Sequence, residues 1–148
     1  MTEPYYIHTE DVDRSERSAI VRAFADATLA VTGRTPGSIR LLGITDLLGE
    51  YVDGEAVERL RGDDAVKTGD GTIEGRVEAT TRTLNDAIKL LSDPLIELHI
   101  DDSEGNPIFA RDDTHANRIY LDEDEFAELR DLLGSSDLEL LERLPADP

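Results

Sequence analysis

The apolar and polar positions of the chain fall into their clearest pattern between Leu95 and Gly134. Leu95 to Ile100 is mainly apolar, with Glu97 and His99 alternating outward, which predicts a half-buried strand. Ser103-Glu104-Gly105-Asn106 has turn chemistry, and Pro107 to Arg111 returns as a short strand in which Ile108 and Ala110 alternate against Phe109. Arg118 to Leu121 predicts a third strand. Asp122 and Glu125 then stand at capping-box spacing, and Phe126, Leu129, Leu132 and Leu133 give the next helix its apolar face up to Gly134.

Upstream the period lengthens. Tyr5-Tyr6-Ile7 suits an edge strand, and Asp13 with Glu16 repeats the capping-box spacing. Ile20, Phe24, Ala27 and Val31 predict a helix over 14–32, stopped by Gly33 in a left-handed conformation. Thr35 and Pro36 suit the cap and first position of a second helix. Its face is Leu41, Ile44, Leu48 and Tyr51, against a cost of about 1 kcal/mol for each of Gly43 and Gly49. A third helix is expected over 54–61, with Ala56, Val57 and Leu60 inward, and then a flexible loop over 62–71. Ile73, Val77, Leu84, Ile88 and Leu91 predict a fourth helix over 72–91, interrupted by Thr80 and Thr81 and ended at Asp93-Pro94. Asp137 to Leu144 fits either a last strand or a helical turn.

The expected fold is therefore α+β: an N-terminal helical bundle, a long connecting helix, and a small antiparallel three-stranded sheet with a packed C-terminal helix. Two divisions fit: a helical segment over 13–62 with the size of a helix-turn-helix unit, followed by 72–144, or a single domain over 5–144.

Charge sharpens this picture. The 148 residues carry 34 acids against 15 bases, a formal net charge of −19. Residues 1–91 hold 17 acids and 11 bases, and 92–148 hold 17 acids and 4 bases, so 11 of the 15 bases lie in the first part. A surface rich in Asp and Glu, poor in Lys and free of cysteine resembles that of proteins from extremely halophilic archaea. The resemblance concerns solvent, because molar salt shortens the Debye length to about 3 Å and screens self-repulsion. It implies no activity. Without cysteine there is no disulfide framework, thiolate zinc site or cysteine nucleophile. The start MTEPYYIHTEDVDR is neither a basic nor an apolar leader, and no apolar run approaches the roughly 18 residues needed to span a bilayer. A cytoplasmic protein is expected, with no membrane partner.

Candidate chemistry is sparse. Arg34, Arg40, Arg59 and Arg61 could together form a nucleic-acid-binding face on the N-terminal helices, although Asp46, Glu50, Glu55, Glu58, Asp63 and Asp64 share that segment. His99, Asp101, Asp112, Asp113 and His115 are metal-ligand types, but their spacing matches no metal motif. Asp101 to Asn106 distantly resembles a calcium loop and reads better as a turn. Gly69-Asp70-Gly71-Thr72-Ile73-Glu74-Gly75 precedes a helix, as phosphate loops do, with the wrong glycine spacing. No catalytic residue, metal site or cofactor is assigned, and an enzyme is not expected.

Leu41, Ile44, Leu47 and Leu48 with Leu84, Ile88 and Leu91 offer more apolar surface than a three-stranded sheet covers, which points to a homodimer or a protein partner. The leading expectation is a small acidic interaction or regulatory protein, non-enzymatic and self-associating. A DNA-binding transcription regulator using residues 14–62 is the alternative, and a metal-dependent enzyme or metal-binding protein using His99 and His115 is the second.

Overall fold

Ile39 and Leu41 are buried on either side of exposed Arg40, and Ile73 and Val77 are buried while Glu74, Arg76 and Glu78 are exposed. A period of two, and not of 3.6, governs both stretches. The computed structural model describes residues 2–44, 54–63, 66–69, 71–91, 95–112 and 116–143. In chain order these form β1 (Glu3–Ile7), α1 (Arg14–Val31), β2 (Pro36–Ile44), α2 (Gly54–Arg61), β3 (Val66–Gly69), β4 (Thr72–Glu78) and α3 (Thr81–Lys89). There follow β5 (Leu95–Asp102), β6 (Pro107–Arg111), β7 (Asn117–Leu121), α4 (Glu123–Leu132), the one-turn α5 (Ser135–Leu138) and β8 (Leu141–Arg143). The strands make one eight-stranded sheet in the order β3-β4-β2-β5-β6-β7-β1-β8, and every neighbouring pair is antiparallel. Its two edges, β3 and β8, are four and three residues long, a length that limits pairing with other chains.

The helical bundle with a three-stranded sheet is thus overturned: three of the eight strands, β2, β3 and β4, come from residues read as helix or loop. The region expected as the second helix is strand β2 as far as Ile44, and its remainder, with Leu47, Leu48 and Tyr51, lies outside the described residues. Pro36 opens this strand, where its missing N–H is tolerated. Gly37 lies so close to the β5–β6 turn that an added Cβ would sit 2.7 Å from the Asp102 carbonyl oxygen. The expected fourth helix is two elements. Spacing of four between Ile73 and Val77 fits one helix face and one sheet face equally, and tertiary pairing with β2 decides for strand. The threonines that interrupted the helical stripe are the start of α3: Thr83 N–H donates to Thr80 Oγ1 at 3.1 Å, and Thr80 N–H donates to Thr83 Oγ1 at 2.8 Å. The expected loop 62–71 contains β3, which turns into β4 with Gly71 at a φ of 79°, a conformation glycine adopts without strain. Tyr5-Tyr6-Ile7 does form a strand, but β1 lies between β7 and β8 and not at the edge.

Two smaller expectations also change. Asp13 caps α1 by position but its side chain makes no capping bond, and α1 ends on extended Thr32 without a left-handed Gly33. The second capping box stands: Glu125 N–H donates to Asp122 Oδ1 at 2.7 Å, and Asp122 N–H to Glu125 Oε1 at 2.9 Å. Buried Glu125 also accepts from Gly33 N–H through Oε2 at 2.8 Å, so one carboxylate starts α4 and holds the exit of α1.

The helices share one side of the sheet. Tyr5, Ile7, Ile39, Leu41, Ile73, Leu98, Ile100, Phe109 and Ile119 point into a single buried cluster with Phe24 of α1, Val57 of α2, Ile88 of α3 and Leu129 of α4. Tyr5 stacks on Phe126 with ring centroids 5.0 Å apart. Complete burial of a side chain such as Phe24 or Phe109 contributes about 1.5–3 kcal/mol. Of the residues that motivated self-association, Leu41, Ile88 and Leu91 are at most 4% exposed and Leu84 is half-buried, while Leu47 and Leu48 lie outside the described residues. The described residues give no support to a homodimer, to a regulatory role or to the halophile resemblance. No helix among the described residues is long and apolar enough to cross a membrane.

Candidate functional site

Strand alternation that buries one face of the sheet turns the other outward, and no described helix lies over it. One row of this open face crosses seven strands. Arg76 on β4 stands opposite Arg40 on β2, which stands opposite His99 on β5. The row continues through Ala110 on β6, Arg118 on β7, Tyr6 on β1 and Glu142 on β8. Strands lie about 4.8 Å apart, so Arg76 and Arg118, four strands from each other, are separated by about 19 Å. Arg40, Arg76 and Arg118 are exposed, and among the described residues none of them forms an ion pair.

The rows on either side carry the opposite sign. Leu42 lies between Glu74 and Glu97, and Ser38 between Glu78 and Asp101. His99 is half-buried, and burial, then the Arg40 guanidinium, hold its imidazole below the ordinary value against the pull of Glu97, Asp101 and Asp112. At the far end Tyr6 donates to Glu10 Oε1 at 2.7 Å, and that bond, with burial and the Glu10 charge, pushes the phenol up to about 12. His8 bonds Glu142 and lies 3.5 Å from Glu10, fastening β8 beside β1.

Of the four arginines considered for nucleic acid, only Arg40 belongs to this row. Arg34 is a structural latch: Nη1 donates to Asp102 Oδ2 at 3.1 Å and to the Pro107 carbonyl at 3.0 Å, and Nη2 donates to the Tyr120 carbonyl at 3.1 Å. Arg59 is locked on the helical side, donating from Nε and Nη2 to Asp86 at 2.7–3.1 Å, with Asp86 only 4% exposed. Arg61 closes α2, and its side chain lies outside the described residues. Arg40 and Arg59 therefore face opposite sides of the sheet. A cleft of about 510 Å³ between α2 and α3 includes Arg59, Asp63, Arg82, Thr83 and Asp86, but the Arg59–Asp86 pair and the threonine capping box already engage much of its polar lining.

The metal candidates do not converge. No group of three or more His, Cys, Asp or Glu side chains among the described residues could hold a metal ion, and Asp113 and His115 lie outside them. In the turn compared with a calcium loop, Asp102 Oδ1 accepts from the Glu104 and Asn106 amides at 2.9 Å each while Oδ2 takes Arg34. Burial pushes the Asp102 carboxyl up, but those amides and the guanidinium together bring it below the usual range. The glycines from 69 to 75 lead into strand β4, so no helix N-terminus is there to receive a phosphate.

The arginine row was hidden because β2 and β4 read as helix. Its trace in the sequence is local: Ile39-Arg40-Leu41 and Arg76-Val77-Glu78 alternate as strands do. Compared with known proteins, the chain matches no family model, no curated protein and no solved structure.

Proposed function

We propose that the chain is a non-enzymatic protein-interaction module that engages its partner on the open face of the sheet. The observation that carries this reading is the row of Arg76, Arg40 and Arg118, three exposed guanidiniums without ion-pair partners among the described residues, on a face that no described helix covers. In a chain of net −19, most of the surface repels other acidic macromolecules, whereas this face mixes both signs and offers a row of donors. A cysteine-free acidic chain suits the cytoplasm.

The test is affinity capture from lysate with the wild-type chain and with Ala110→Trp, which raises a bulky ring from the middle of the row without changing charge. A polypeptide held by the wild type and lost from A110W, with unchanged thermal unfolding of the variant, supports the reading. A polypeptide held equally by both places the contact elsewhere and overturns it.

A further inference from the structure

Resting on that reading of the open face, we propose that the partner presents a helix with one line of carboxylates, laid across the strands along Arg76, Arg40, His99, Ala110 and Arg118. Three features of the face lead to this chemistry.

The first is sign. Arg76 and Arg40 are directly opposite one another, a like-charge placement that disfavours the sheet, in a chain with more than twice as many acids as bases. The flanking acids stand two residues away along β4 and β5, in separate rows, and make no ion pair with these arginines. A guanidinium left with its planar donors outward favours a carboxylate, which it can meet with two parallel bonds.

The second is width. Same-face neighbours along a strand are about 6.8 Å apart, so the cationic strip is one residue wide with acids on both sides. A nucleic acid needs a broad basic footprint, and its phosphates would overlie Glu74 and Glu97 or Glu78 and Asp101. A helix can hold its acids in one line while neutral or basic side chains occupy the flanks.

The third is spacing. The strip is about 19 Å from Arg76 to Arg118, the length of about 13 residues of helix. Carboxylates repeating at i, i+4, i+7 and i+11 advance about 5.4 Å per turn, close to the strand separation of about 4.8 Å. Ala110 supplies the floor: its small side chain between His99 and Arg118 leaves room for the helix backbone to approach.

The probe is a fluorescein-labelled, end-blocked alanine peptide with glutamates repeating at i, i+4, i+7 and i+11, which keeps its acids along one helical line. Its controls are a scrambled peptide of the same composition and an oligothymidylate of the same formal charge. Anisotropy is read with the wild type, Arg40→Glu and Ala110→Trp, beside the capture experiment. The repeat peptide should bind the wild type more tightly than the scrambled one, and R40E should weaken it about tenfold, equivalent to about 1.4 kcal/mol. Arg40→Gln, which removes the charge without reversing it, should give a smaller loss, and binding should fade as salt shortens the Debye length from about 10 to about 3 Å. Equal binding of both peptides, or none, while A110W still releases the captured partner, overturns the carboxylate line and leaves the open-face reading standing. Capture indifferent to A110W removes the open-face reading itself. Oligothymidylate binding that R40E abolishes, in place of peptide binding, overturns the proposal in favour of nucleic acid.

Discussion

Replacing Asp102 by alanine should destabilise the fold by about 3 kcal/mol, more than most single substitutions. Asp102 is 4% exposed at its side chain and accepts three bonds: two amides at 2.9 Å and the Arg34 guanidinium at 3.1 Å. Bonds to a charged group contribute about 1.5–3 kcal/mol when buried. Here Glu104 and Asn106 are exposed and their amides regain water, and Arg34 is 21% exposed, so screening brings its share nearer to about 1 kcal/mol. The carboxylate also holds the β5–β6 turn beneath Gly37, so its removal loosens two connections at once. Urea unfolding followed by circular dichroism reads the loss as a lower midpoint at unchanged slope. The Asp102→Asn substitution keeps an acceptor for the amides and loses the charge, so D102N should fall between wild type and D102A. A D102A loss below about 1 kcal/mol would show that water replaces these bonds and would refute the account of Asp102 as a latch. The acid side has a definite sign. With its folded value lowered, Asp102 contributes stability that is present above its unfolded value of about 3.9 and is lost as pH falls through the folded one. D102N should therefore flatten the acid limb of the stability curve.

Gly37→Ala should cost about 2 kcal/mol or more, because its Cβ would meet backbone atoms of Asp102 and Ser103 that cannot rotate away; an unchanged midpoint in the same urea assay would contradict it. Thr80→Ala removes the acceptor that starts α3 and should cost about 1 kcal/mol, with Thr80→Ser largely restoring it. His99, held below its ordinary value of 6.5, should make stability fall as pH drops below that value and on through the folded one, and His99→Gln should remove this slope; a slope that survives the substitution would assign it to another group.

What could be read from the chain, and what could not, follows from how far each signal reaches. The strands at Leu95 and Pro107 and the helix after Asp122 announce themselves locally, through alternation, a Gly-Asn turn and a capping box whose members lie three residues apart. Residues 36–44 and 72–78 do not, because Leu41 with Ile44 and Ile73 with Val77 have spacings that suit a helix face. The β-branched content of Thr72, Ile73 and Val77 was the better guide, and the two glycines of β2 count against a helix there. Thr80 and Thr81 looked like a flaw in a long helix and are the cap and first residue of a shorter one. The arginine row left only the short alternations around Arg40 and Arg76 as a local trace. Its members come from positions 40, 76, 99, 110 and 118, and only register across five strands sets them side by side.

The place of β1 has a consequence for how the chain acquires its structure. Residues 3–7 hydrogen-bond with 117–121 on one side and 141–143 on the other. During synthesis this strand emerges before the other seven of the sheet, and its two neighbours follow only after more than a hundred further residues. Pairings so distant along the chain close slowly, since the entropy of a long loop must be overcome before any contact offsets it. The side chains of Tyr5 and Ile7, buried in the fold, stay exposed until those pairings close. In pulse-labelled hydrogen exchange during refolding, the amides of Tyr5 to Ile7 should gain protection after those of the β5–β6 hairpin, whose strands are joined by a single turn.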